Sequence, residues 1–148
     1  MRILAIAFVA AVAATVPAAG PALAVSLVET VRVNNIPVTD DLAAGKTTPD
    51  KKCGDEGEKP CLTVDRAIVH ALLMCNGPPL CPKQSPDGEA KYRHSKLAER
   101  VEADPINVAL APDEITTIEN LIGEMYSPVV VRAVWDKLGP PSSVAPKK

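Results

Sequence analysis

The side chains with the greatest chemical potential in this 148-residue chain are four cysteines, two histidines and a cluster of acids between residues 40 and 56. Cys53, Cys61, Cys75 and Cys81 are separated by seven, thirteen and five residues. Structural zinc sites use close pairs such as C-x2-C, and thiol exchange uses C-x-x-C; neither spacing occurs here. Asp40, Asp41, Asp50, Asp55 and Glu56 do not fall at the ligand positions of an EF-hand loop, so a solvated loop is the expected reading. His70 sits among apolar residues in LTVDRAIVHALLM, where a structural or surface histidine is expected. His94 lies in the charged run Lys91-Tyr92-Arg93-His94-Ser95-Lys96, a solvated helix face in its simplest reading. No catalytic residue, metal or cofactor is assigned from these patterns. The alternative is a small exported enzyme or inhibitor whose site assembles from the 40–60 loop with His70 or His94. An acid brought against either histidine would favour it.

The compartment follows from the first 24 residues. MRILAIAFVAAVAATVPAAGPALA carries Arg2, an apolar run from Ile3 to Val16 and the small-residue site Ala22-Leu23-Ala24, the layout of a secretory signal peptide. A membrane anchor needs about 20 uninterrupted apolar residues, and Pro17, Gly20 and Pro21 break this run too early. Cleavage is expected after Ala24, with a cut after Ala19 or an uncleaved anchor as the alternatives. The mature protein is then exported to a periplasm or beyond, with no stable membrane insertion. A formal net charge of −2 with scattered basic residues lacks the footprint of a nucleic-acid binder.

Four cysteines in an oxidising compartment imply two disulfides. The segment between Cys61 and Cys75 has helical periodicity, which would hold those two about 21 Å apart, beyond the roughly 7 Å reach between bridged Cα atoms. Crossed pairing would stretch both flanking loops along the helix, against the turn-forming run Asn76-Gly77-Pro78-Pro79. The local pairing, Cys53 with Cys61 and Cys75 with Cys81, is therefore favoured.

The elements that position these groups can be read from periodicity and punctuation. Val25 to Leu42 is β-rich around Asn34-Asn35 and predicts a short hairpin, with Pro37 placing its second strand at an edge. Residues 39–60 are polar and aperiodic, predicting an exposed loop held only by Cys53. Thr63 is a candidate N-cap for the first helix. A second helix is expected over 89–103, ended by Pro105, and Ile106 to Leu110 is extended. Pro112 opens a third helix with Ile115, Ile118, Leu121, Ile122 and Met125 on one face. A fourth begins after Ser127-Pro128 with Val131, Val134, Trp135 and Leu138 inward, and Gly139-Pro140-Pro141 stops it. Residues 139–148 read as a disordered tail. The fold expected over 25–138 is one mainly α domain of about four helices with an N-terminal β-hairpin, stapled by disulfides.

The chain has one Phe, two Tyr and one Trp, and the Phe lies in the leader. So few rings exclude an aromatic ligand pocket or a base-stacking platform. Trp135 and Tyr126, both in the last helical pair, are the candidates for core anchoring or partner contact.

LTVDRAIVHALL, EAKYRHSKLAERV and LAPDEITTIENLIGEMYSPVVVRAVWDKL together resemble small uncharacterised proteins of bacteriophage and prophage gene sets, over Leu62 to Leu138. The resemblance implies a small helical binding or accessory protein with an unknown protein partner, and carries over no catalytic residue. The export signal and the cysteine-flanked first helix depart from that group and point to an exported variant. A non-reducing peptide map of the secreted protein should join Cys53 to Cys61 and Cys75 to Cys81. A peptide joining Cys53 to Cys75 would contradict both the pairing and the boundaries of the first helix.

Overall fold

The computed structural model describes residues 22–33, 36–40, 48–56 and 59–139. Residues 1–21 of the expected leader, Asn34-Asn35 where the hairpin turn is expected, and the expected tail from residue 140 lie outside the described residues, as do 41–47 and 57–58. Four helices and four short strands follow in the order β1 (Leu23–Val25), β2 (Arg32–Val33), β3 (Ile36–Pro37), α1 (Val64–Met74), α2 (Gly88–Ala103), β4 (Val108–Leu110), α3 (Pro112–Met125) and α4 (Pro128–Leu138). The mainly α, disulfide-stapled class read from the sequence is the class observed.

α1 is the central element, packed against each of the other three helices. Its face of Val64, Ala67, Ile68, Ala71 and Leu72 is buried, as i, i+3, i+4 spacing requires. Thr63 occupies the N-cap position, yet its side chain makes no capping bond. The extended chain before it supplies the acceptors instead. Val64 N–H donates to the Glu29 carbonyl at 2.9 Å and Asp65 N–H to that of Leu27 at 3.0 Å, satisfying amides a helix otherwise leaves free. Leu62, fully buried, donates its N–H to Val38 and accepts from Val31 N–H, both at 2.8 Å.

The disulfides close a loop at each end of α1. Cys53 joins Cys61 with Cα atoms 4.9 Å apart, and Cys75 joins Cys81 at 5.3 Å. Each loop turns on a glycine at positive φ, Gly54 at 87° and Gly77 at 118°, which residues with a Cβ adopt only with strain.

β2 and β3 form the expected hairpin in the register Arg32 opposite Pro37 and Val33 opposite Ile36. β1 pairs instead with β4, a second antiparallel ladder that joins the start of the domain to the segment between α2 and α3. Two expectations are corrected. The 39–60 segment is not held by Cys53 alone: Thr39 N–H bonds Thr48 O at 2.9 Å, and Asp40 N–H bonds Pro60 O at 2.7 Å. Such pairing among polar residues leaves no hydrophobic period to read. On α4 the innermost row is Val130, Val134 and Leu138, while Val131 and Trp135 are half-buried. With three consecutive valines at 129–131, the apolar pattern does not choose between adjacent rows. Trp135 therefore borders the aliphatic core and is not its centre.

Ile68 is fully buried at the centre of α1. Ile68→Ala should lower the unfolding free energy by about 2–5 kcal/mol in urea denaturation. A loss below about 1 kcal/mol would mean that α1 is not the hub of the core.

Candidate functional site

Two polar constellations stand on this scaffold. The first is a groove between α2 and α3 of about 670 Å³. Arg93, Leu97 and Arg100 recur along one face of α2 at helical spacing, and Asp113, Thr117 and Leu121 do so on α3. α2 is started by Asp87, whose carboxylate accepts from Ala90 N–H at 2.8 Å. α3 is started by Pro112 and by Glu114, which accepts from Ala111 N–H at 2.8 Å. Glu114 also takes Arg100 at 2.5 Å, bridging the two walls. Leu97 and Leu121, 6% and 1% exposed, supply the apolar part of the lining.

The cations of the groove are paired. Arg93 faces Glu89 at 3.8 Å and Lys96 faces Glu99 at 2.6 Å, so each lining cation already has a carboxylate neighbour. Asp113 is the lining acid outside these pairs, and the other polar groups of the groove are neutral. His94 lines it half-buried, and its Nδ1 is enclosed without a hydrogen-bond partner among the described residues. Burial, then the neighbouring Arg93, lowers its pKa, so the imidazole is neutral around pH 7. His94 thus departs from the solvated face expected of it: α2 packs on α1, and His94 is half-buried at the edge of the groove. Asn120 and Thr117 face it with polar groups, and Tyr92, 63% exposed, stands at the groove with Lys96 Nζ 5.9 Å from its ring centroid.

The second constellation gathers Asp40, Arg66, His70 and Tyr126. Arg66 and His70 share a face of α1 at i, i+4, and the Asp40 carboxylate, 2% exposed, pairs with the Arg66 guanidinium. His70 Nδ1 lies 2.7 Å from the Tyr126 hydroxyl, at the junction of α3 and α4. Burial, and secondarily the charge of Asp40, pushes the Tyr126 pKa well above its ordinary value. Burial lowers that of His70, partly opposed by Asp40. Both groups are therefore uncharged around pH 7 and share one hydrogen bond, whose donor follows the His70 tautomer. The result is a polar latch joining the 40–60 segment, α1 and the α3–α4 junction.

Of the residues singled out in the sequence, the structure brings His70 and Tyr126 together and adds Asp40 from the polar loop. His94 lies apart in the groove. The four cysteines are all consumed in disulfides, and no three His, Cys, Asp or Glu among the described residues gather to hold a metal. Trp135 packs near Gly123 of α3, with its indole N–H enclosed and unpartnered. Arg66 and Glu119 were not legible as site residues. For Arg66 the i, i+4 spacing to His70 was a usable signal. For Glu119, 6% exposed with an unpartnered Oε1, there was none.

Comparisons with protein-family models, with curated proteins and with solved structures found no match.

Burial raises the Glu119 pKa. A group whose folded pKa lies above its unfolded value supports the fold below the unfolded pKa and loses that support as pH rises through the folded one. Glu119→Gln should therefore stabilise the protein more at pH 7 than at pH 4, as thermal melts at the two values would show. An equal effect at both would mean that Glu119 is solvated.

Proposed function

We propose that this chain is an exported, non-enzymatic accessory protein of phage-like type that holds an extended segment of a protein partner in the α2/α3 groove. The observation that carries this reading is the groove's lining. It offers an apolar floor of Pro86, Ala90 and Leu97, neutral side chains on His94 and Asn120, one unpaired acid at Asp113, and cations already held in ion pairs. A peptide main chain needs such neutral donors and acceptors beside an apolar pocket, whereas a phosphate backbone needs uncompensated cations. The leader-like first segment and the two disulfides support a periplasmic or extracellular setting. Among the described residues no helix is long and apolar enough to cross a membrane.

The Asp40–His70–Tyr126 cluster favours a second reading, a small hydrolytic enzyme with His70 as its base. It ranks lower because Asp40 is paired with Arg66 and neither His70 nor Asp40 lines the α2/α3 groove.

Thr117→Arg places a long charged side chain in the groove without entering the core. In an affinity pull-down from the native host, the partner recovered with the wild type should be lost with Thr117→Arg and kept with Arg132→Ala on the exposed side of α4. Recovery of the same partner at the same yield with Thr117→Arg would remove the groove from the account.

A further inference from the structure

The leader-like segment and the folded domain overlap in β1. The small-residue site Ala22-Leu23-Ala24 runs into a strand whose Leu23, Ala24 and Val25 stand opposite Leu110, Ala109 and Val108 of β4. The pairing continues through Leu27, whose N–H donates to the Pro105 carbonyl at 2.8 Å. Leu27 and Leu110 are fully buried and Val108 is 2% exposed, so this ladder borders the core. β1 is the one strand paired with β4 among the described residues.

Hydrolysis after Ala24 would remove two of the three facing residues and put the charged α-ammonium of Val25 directly into the ladder. It would also strip the main chain beside Leu110 of its partner, at a position where unsatisfied backbone groups are costly. Upstream, Ala18, Ala19 and Ala22 offer small residues for the same cleavage chemistry, and a cut after any of them leaves β1 whole.

We propose that processing occurs before β1, so that the mature protein starts at or before Leu23. An export endopeptidase breaks one peptide bond there; water supplies the hydroxyl of the new carboxylate and the proton of the new amine. This inference rests on the exported reading of the chain.

The full 148-residue chain is expressed in a bacterial host, and the protein released from the periplasm or medium is measured by intact mass and N-terminal sequencing. A start between Ala19 and Leu23 is expected. A released protein starting at Val25 would overturn the proposal while leaving export standing, and a cell-retained chain still starting at Met1 would overturn both. In parallel, leaderless chains starting at Gly20 and at Val25 are oxidised and melted. The Gly20 form should melt higher by roughly 3–6 °C, the shift expected for loss of about one kcal/mol in a domain of this size. Equal melting temperatures would show that β1 contributes nothing and would remove the basis of the proposal.

Discussion

Two backbone amides at the start of α1 organise this molecule. Val64 and Asp65 donate to the carbonyls of Glu29 and Leu27, so the extended N-terminal chain must cross the helix end before it can continue. That crossing fixes where Val31 and Leu62 meet and hence where the β2–β3 hairpin sits. It also brings Leu27 against Pro105, from which the β1–β4 ladder follows. Helix α1 is thereby held at its start by main-chain bonds and packed on α2, α3 and α4 along its length.

The core around α1 is aliphatic. Its largest fully buried side chains are leucines, isoleucines and valines, and Trp135 stands at the border. Branched aliphatics bury less area per residue than aromatic rings, so a core of this composition gains from constraint by other means. The disulfides supply it at both ends of α1, each by restricting the unfolded chain through a short loop. The Asp40–Arg66 pair and the His70–Tyr126 bond add polar constraint on another face of the same helix. α1 is thus fixed from several directions, while the α2/α3 face keeps its groove open to solvent.

The sequence carried the helices well because their signals are local. Pro112 and Pro128 open α3 and α4, Gly139 at φ 97° closes α4, and the apolar rows recur at helical spacing. The disulfide pairing was legible for a geometric reason, since a helix between Cys61 and Cys75 forbids that bridge. What was not legible depends on contacts distant in sequence and unmarked by hydrophobicity. β1 pairs with a strand more than 80 residues away in the chain. Asp40 reads as one more acid in a polar loop until the fold carries it to Arg66 and His70. His94 reads as solvated until α2 is packed on α1. The candidate groove belongs to this second class, because neither of its walls announces the other.

The central claim is that the N-terminal chain caps α1. Native-state hydrogen exchange at Val64 and Asp65 tests it directly, because first-turn amides exchange rapidly when they lack acceptors. The account predicts protection at those two amides comparable to Ile68 and Leu72 in the middle of the helix. Exchange as fast as at Asp113 and Glu114, in the first turn of α3, would contradict it.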